Sequence, residues 1–197
     1  MRSYWIALVC TLASPLAAQD APSFDCAKAK SEAERLVCSD SELARLDRRL
    51  AERYSAALDR VGEKETRNLL RAYQRGWIKG RDACWKADDA RECVRLSYLM
   101  RESELVARWQ LEPELARDTW RCGKAGKHVT TVLYETDLQA LRFEIDGEIS
   151  TASQVRTASG IRYTGDFGRE IWMKGDTARY READPDGTEY DCTRIED

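Results

Sequence analysis

Six cysteines are the feature of this sequence that most constrains its fold. The 197 residues contain seven cysteines, of which Cys10 lies in an apolar N-terminal segment and six are spread over the remainder. An even number of cysteines in an exported chain is typical of a disulfide framework, although the number alone leaves many pairings open. Their grouping along the sequence favours three bonds: Cys26–Cys38, Cys84–Cys93 and Cys122–Cys192. Metal binding is the alternative, and it is disfavoured because the chain has no Cys-x-x-Cys pair and one histidine.

The first residues predict a secretory signal peptide over residues 1–19. One basic residue, Arg2, precedes an apolar run that ends in small residues at Ala17 and Ala18. The run is shorter than the roughly 20 apolar residues that a membrane-spanning helix needs. Cys10 lacks the small residue expected just before a lipidated cysteine, which disfavours a lipid anchor. We therefore expect an exported, periplasmic protein without membrane anchoring.

Charge differs between the two halves of the sequence and limits the kinds of partner. Residues 118–197 hold 11 basic and 16 acidic side chains, a net charge of −5, whereas the preceding part is close to neutral. Neutralising phosphates requires a basic surface, so we expect no nucleic-acid partner. An acidic half suits a basic protein partner, although ordinary solubility explains the same charge.

Helical periodicity runs through residues 20–112. The first long helix is marked by apolar residues at steps of three and four: Leu43, Leu46, Leu50, Tyr54, Leu58 and Val61. Ser39 and Glu42 fit a capping box at its start, and Gly62 is expected at its end. A helical turn or two is expected between Cys26 and Cys38. Two further helices are indicated by the same spacing: Leu70, Tyr73, Trp77 and Cys84 in one, and Cys93, Leu96, Met100 and Ala107 in another that starts near Asp89.

The period changes after Pro113, which marks a linker or a last short helix. Residues 128–135 and 140–146 alternate between apolar and polar, and Asp146–Gly147 is a strong hairpin signal. Six to eight short strands over residues 118–197 predict a small antiparallel barrel or sandwich. The predicted fold class is therefore α+β with two domains, an antiparallel helical domain stapled by disulfides and a small antiparallel β domain.

The sequence does not predict an enzyme. His128 is the single histidine and opens a predicted strand, so Ser159 has no evident base. A Ser–Lys dyad would need a desolvated lysine, whereas Lys174 stands beside a turn and near Asp176, a setting that favours an exposed ammonium. We find no carboxylate pair in a distinctive setting, no phosphate loop and no nucleotide or metal motif. We expect no catalytic residue, no metal and no small-molecule cofactor.

Three short motifs and a late cysteine occur in a specific order in the second half. They are Trp120-Arg121-Cys122, the segment ASGIRY at 158–163, the segment WMKGDTA at 172–178, and Cys192. In this order they resemble the MliC family, membrane-bound or periplasmic inhibitors of c-type lysozyme. The resemblance covers about residues 118–195 and implies a small antiparallel β-barrel whose two loops enter the active-site cleft of lysozyme.

The first half has motifs of its own. Residues 24–58, the segment QRGW at 74–77 and the segment RDACW at 81–85 are similar to the LprI-type N-terminal domain of exported bacterial proteins. This resemblance implies a helical fold. That family has been linked in places to lysozyme inhibition, and the role of the helical domain here stays open.

The MliC resemblance also implies which residues act. Lys174 would bond to both catalytic carboxyl groups of lysozyme, and Ser159 would exchange hydrogen bonds with the cleft wall. Gly160 and Gly175 would permit close approach and a tight turn. The full set of lysozyme-binding residues that it implies is Ser159, Gly160, Arg162, Tyr163, Trp172, Lys174 and Gly175, with Tyr163 and Trp172 packed beneath the loops and Arg162 either at the rim or simply on the surface.

These observations lead to one expected function and two alternatives. We expect a non-enzymatic, periplasmic inhibitor whose partner is c-type lysozyme. The first alternative is a cell-envelope adaptor that binds an unknown partner through its helical domain. The second is a hydrolase that uses Ser159.

Overall fold

A computed structural model describes residues 21–195 of the protein, so the expected signal peptide over residues 1–19 lies outside the described residues. Four α-helices come first: α1 Glu32–Ser39, α2 Ser41–Arg60, α3 Lys64–Asp82 and α4 Ala90–Trp109. Three short 3-10 helices span Cys26–Lys28, Ala83–Lys86 and Asp166–Gly168. The helical turns expected between Cys26 and Cys38 are confirmed.

Eight antiparallel strands follow and close into a barrel in which each strand pairs with its sequence neighbours and β1 pairs with β8. The strands are β1 Glu114–Cys122, β2 Lys127–Tyr134, β3 Ala140–Ile145, β4 Glu148–Val155, β5 Ile161–Gly165, β6 Glu170–Lys174, β7 Thr177–Arg181 and β8 Glu189–Ile195. The predicted fold class is confirmed, and the β domain is a barrel. Asp146 and Gly147 form the expected hairpin turn, both with positive φ.

The three disulfides expected from the sequence grouping are formed. Cys26–Cys38 fastens the N-terminal segment to α1, and Cys84–Cys93 ties the 3-10 turn after α3 to the first turn of α4. Cys122 and Cys192 face each other across β1 and β8. This third bond therefore locks the strand pair that closes the barrel.

The start of α2 differs from the prediction. Ser39 ends α1, and Asp40 caps α2 by accepting hydrogen bonds from the backbone amides of Glu42 and Leu43 at 2.9 and 3.1 Å. The capping box lies one helix earlier, where Ser31 and Glu34 bond reciprocally. Because α1 continues through Ser39, the cap of α2 falls on the next residue, Asp40, whose carboxylate is a favoured N-cap group.

The buried face of α4 also differs from the prediction. Leu96 and Met100, expected to face inward, are 39% and 55% exposed. The helix instead buries Val94, Tyr98 and Leu105 in the helical core. Because α4 is covered on more than one side, its apolar residues do not form the single stripe on which a periodicity argument relies.

A shared apolar cluster joins the helical half to the barrel. Val106 and Ala107 of α4 pack against Val132, Tyr134 and Ala140 of the barrel, and all five are fully buried. α4 contacts the outer surface of β2, β3 and β4. The connection is correspondingly short, since β1 begins at Glu114, and neither a linker nor an extra helix follows Pro113.

Polar contacts reinforce the same junction. Arg142 of β3 donates a hydrogen bond at 2.8 Å to the carbonyl of Arg108 in the last turn of α4, where orphan carbonyls need donors. The guanidinium of Arg49 in α2 lies 2.6 Å from Glu102 of α4 and 2.8 Å from Asp137 of the β2–β3 loop. Burial raises the pKa of Glu102, and the Arg49 guanidinium opposes that rise. Helices and barrel therefore pack as one body.

The disulfides predict an order of stability losses. In the chain-entropy model, removing Cys122–Cys192, whose partners lie 70 residues apart, should lower the free energy of unfolding by about 4 kcal/mol. Removing Cys84–Cys93, with a separation of 9, should cost about 3 kcal/mol. Urea unfolding of the two double serine variants measures both losses. An equal or larger loss for the shorter loop would contradict the entropic account.

Candidate functional site

The Ser159 loop and the Lys174 turn lie side by side at one end of the barrel. Ser159 belongs to the loop between β4 and β5, and Lys174 ends β6 at the turn into β7. The pairing of Ile161 with Met173 across β5 and β6 brings the two segments together. Both Ser159 and Lys174 are exposed. The structure thus brings together the two segments on which the sequence hypothesis depends.

The indole of Trp172 connects the two segments. Its Nε1 donates a hydrogen bond to the carbonyl oxygen of Ser159 at 2.8 Å. The ammonium of Lys174 lies 3.9 Å from the centroid of the same ring, within the range of a cation–π interaction. The hydroxyl of Thr157 adds a second donor to the Ser159 carbonyl at 3.2 Å. One half-buried side chain therefore fixes the backbone beside Ser159 and holds the head group of Lys174.

Gly160 is required where the two segments touch. Its φ is +71°, and a Cβ atom there would lie 2.4 Å from the carbonyl oxygen of Met173 and 2.8 Å from Cγ of Lys174. A side chain would therefore push the loop away from β6. Gly175 also has a positive φ, +59°, but a Cβ atom there would meet no atom within 4 Å. Gly175 serves the turn, whereas Gly160 serves both the turn and the contact.

Tyr163 and Arg162 support the barrel around the site. Tyr163 is fully buried, its hydroxyl donates to Gln139, and burial raises the pKa of the phenol to about 12. Arg162 points outward and forms an ion pair with Glu170 at 2.6 Å. Tyr163 is thus part of the barrel core, and the guanidinium of Arg162 already has a partner on its own barrel.

The arrangement favours binding over nucleophilic catalysis. Lys174 is exposed and lies against an aromatic face, so it lacks the desolvation that a Ser–Lys dyad requires. His128 lies exposed on β2 opposite Arg121, on a strand pair remote in sequence from the Ser159 loop. Within residues 21–195, no group of three or more His, Cys, Asp or Glu side chains is placed to hold a metal ion. In the same range, no helix has the length and apolar character needed to cross a bilayer.

A further concave region lies between the helical half and the barrel. It has a volume of about 1180 Å³ and runs between α4 and the strands β4 and β5. Leu96 and Met100, two of the α4 residues expected to face inward, line it together with Val155. Arg156 of the β4–β5 loop lines this cleft, but Ser159 and Lys174 are not among its lining residues. They present exposed side chains, a geometry suited to entering a cleft on a partner.

Two features of the site were not predicted from the sequence. The hydrogen bond from Trp172 to Ser159 links residues thirteen positions apart, and no local pattern indicates it. Arg121 and Arg179 also lie near Lys174, because β7, β8 and β1 follow β6 around the barrel. Part of this arrangement could have been predicted. Apolar and polar residues alternate in the segments 169–175 and 177–183, and this alternation places Trp172 and Arg179 on the outer face of the barrel.

The contact at Gly160 predicts a stability difference between two glycines. Gly160→Ala should lower the free energy of unfolding by more than Gly147→Ala, because both have positive φ but only Gly160 would place its Cβ against backbone. Gly147, with φ +82° and no atom within 4 Å of its Cβ, controls for backbone strain alone. Urea unfolding measures both variants. Equal losses would show that the Gly160 contact contributes nothing beyond strain.

Each half of the chain matches the model of a known protein family. Residues 120–189 match the family model described as membrane-bound lysozyme-inhibitor of c-type lysozyme, MliC, and residues 26–112 match that described as lysozyme inhibitor LprI. The chain is similar to lipoprotein LprI of Mycobacterium bovis and of two strains of Mycobacterium tuberculosis. Each is 32% identical over 163 residues, which cover 81% of this chain and 77% of the relative. The protein therefore belongs to the LprI family of lysozyme inhibitors, with an MliC region following its LprI region.

Proposed function

We propose that this protein inhibits c-type lysozyme by inserting the Ser159 loop and the Lys174 turn into the active-site cleft of the enzyme. The observation that carries the proposal is the exposed Lys174 ammonium, held beside the Ser159 loop by one indole. Membership of two lysozyme-inhibitor families supports the choice of partner. The role is non-enzymatic, because neither side chain has the environment of a nucleophile or a base.

The chemistry of the target explains why a lysine suits this role. A retaining lysozyme uses two carboxyl groups roughly 5 Å apart, one protonated as the general acid and the other ionised. An ammonium has three donors and a full positive charge, so Lys174 can bond to both groups. Its charge also lowers the pKa of the general acid and removes the proton that bond cleavage needs. Inhibition then combines blockage of the cleft with loss of the catalytic proton.

Preorganisation lowers the cost of insertion. The Ser159 backbone is already fixed by Trp172 and Thr157, and the Lys174 carbonyl accepts a hydrogen bond from Thr177 at 3.0 Å. Ordering a loop on binding would otherwise reduce the affinity. The cation–π contact is worth about 0.5–1 kcal/mol at an exposed site, less than charge-assisted bonds to two carboxyl groups. Lys174 can therefore leave the indole for the cleft.

Export would bring the inhibitor to its partner. The predicted signal peptide supports a periplasmic location, where a lysozyme that attacks the cell wall would be met. The relatives carry the name lipoprotein and the MliC family is described as membrane-bound. For this chain we propose a periplasmic form without a lipid anchor, since Cys10 lacks the small residue expected before a lipidated cysteine. The net charge of −5 over residues 118–197 would speed encounter with a basic lysozyme.

Lys174→Ala should weaken inhibition strongly. Removing a charged partner from a buried contact costs about 2–5 kcal/mol of binding, because the lysozyme carboxylates lose their counter-charge. Lysozyme turnover of cell-wall substrate at increasing inhibitor concentration measures the inhibition constant. Lys79→Ala on the exposed surface of α3 is the matched control and should leave that constant unchanged.

Three results would count against this proposal. No inhibition by wild-type protein at micromolar concentration would remove the function itself. An inhibition constant unchanged by Lys174→Ala would remove the lysine from the mechanism. An equal loss in Lys79→Ala would reduce the effect to a change in total charge.

Trp172→Phe isolates the contribution of preorganisation. Phenylalanine keeps an aromatic face for Lys174 but cannot donate to the Ser159 carbonyl. The loss of one hydrogen bond, about 0.5–1.5 kcal/mol, should raise the inhibition constant by about two- to twelvefold while the barrel stays folded. Inhibition assays paired with thermal unfolding measure both quantities. A variant that unfolds at the same temperature and inhibits as well as wild type would contradict the positioning role of the indole.

A further inference from the structure

A groove of about 520 Å³ lies on the outer surface of the barrel, directly beside Lys174. Strands β6, β7, β8 and β1 form it, and its lining includes Trp172, Lys174, Arg179, Asp191 and Arg121. Two of these residues, Trp172 and Lys174, belong to the site described above. The groove is therefore continuous with the surface that we propose enters lysozyme.

Strand register places the polar side chains of this groove in two rows. In one row Trp172, Arg179 and Asp191 stand opposite each other across β6, β7 and β8. The second row runs Lys174, Thr177, Thr193 and Arg121, and so reaches β1. Directly opposed side chains in an antiparallel sheet point to the same face, with Cβ atoms about 5 Å apart. The two rows thus form one continuous polar surface.

The strands beneath the groove are anchored in the barrel core. The residues that alternate with the two rows are buried, among them Met173 and Ala178. Cys122 and Cys192, also buried, join the two strands at the far side by a disulfide. The cationic side chains therefore stand on a surface that does not need to be ordered on binding.

The charges of this groove are mostly uncompensated. Arg121, Lys174 and Arg179 face a single carboxylate, Asp191, among the lining residues. The Arg179–Asp191 pair is 3.8 Å long and its side chains are 59% and 94% exposed, so it contributes little. No hydrogen bond or ion pair is formed by the side chain of Arg121 within residues 21–195. By contrast, the other arginines on barrel strands form ion pairs: Arg117, Arg142, Arg162, Arg181 and Arg194.

We propose that this groove binds a carboxylate-bearing side chain of c-type lysozyme, on the rim of the cleft that receives Lys174, with Arg179 and Arg121 as its ligands. The inference rests on the proposed function, because the rim of a cleft that encloses Lys174 lies against the flank of the β6–β7 hairpin. Guanidinium groups match carboxylates with paired, parallel hydrogen bonds. The groove is locally cationic, although residues 118–197 carry a net charge of −5. Long-range attraction and local recognition are therefore carried by different parts of the surface. Net charge guides encounter, and the groove selects an acidic rim.

Asp191 allows a test in which the affinity for lysozyme should rise, a direction of change that a purely structural role would not produce. In the free protein its carboxylate is the internal competitor for Arg179. Arg179→Glu and Arg121→Glu should therefore weaken lysozyme binding, whereas Asp191→Asn should strengthen it. All three side chains are exposed, so none of these changes should unfold the barrel.

The test measures the dissociation constant of the full-length protein with a basic c-type lysozyme by titration calorimetry at two salt concentrations. We expect each arginine reversal to weaken binding by about tenfold or more at both salt concentrations, although the reversal makes residues 118–197 more acidic, and Asp191→Asn to tighten it about two- to threefold. Arg71→Glu, the same charge change on the exposed surface of α3, is the matched control and should differ from wild type by less than either reversal. Thermal unfolding of each variant verifies the fold.

The outcomes separate this inference from the proposed function. If Lys174→Ala abolishes binding while the three groove variants bind as wild type, the groove is not a contact and the loop mechanism stands. If Arg71→Glu weakens binding as much as Arg179→Glu, the effect is general charge and the groove proposal is overturned. If wild-type protein does not bind lysozyme at all, the proposed function fails and the groove proposal fails with it.

Discussion

Pairing between the first and last strands closes the barrel and sets the geometry of the candidate site. β1 pairs with β8 over four residues, and Cys122–Cys192 fixes that pairing covalently. A sheet of eight strands without this closure would leave two unpaired edges. Closure also sets the position of β6 and β7 relative to β1, which brings Lys174 and Arg121 to the same outer surface. The geometry of the candidate site therefore depends on the pairing of β1 with β8.

The helical half is part of the same body. Helix α4 contacts the barrel directly and buries Val106 and Ala107 against β2 and β3. At the end of the same helix, Arg142 of β3 donates a hydrogen bond to a carbonyl of the last turn. Such a junction allows no free rotation of one half against the other. Binding through the barrel loops would therefore carry the helices to a fixed place beside the partner.

Preorganisation is the common property of the site residues. Trp172 and Gly160 contribute by holding the Ser159 loop and the Lys174 turn side by side, rather than by chemistry of their own. An inhibitor that fills a cleft gains affinity from side chains already in position, because less conformational entropy is lost on binding. The same reasoning extends to the groove, whose arginines stand on a floor tied by a disulfide.

Local chemistry determined much of this protein from its sequence. The helical and alternating periods and the Asp146–Gly147 turn act between near neighbours in the chain, and they predicted the fold class. The even number and grouping of the six cysteines predicted the disulfides, including the bond between Cys122 and Cys192, which lie 70 residues apart. The resemblance of three short motifs to the MliC family, and not their spacing alone, pointed to Ser159 and Lys174. The buried face of α4 could be known only from the tertiary structure, because both the other helices and the barrel pack against this helix. Tertiary structure alone also decided that Trp172 bonds to the Ser159 loop and that Arg121 and Arg179 border Lys174, because these contacts depend on strand register around a closed barrel.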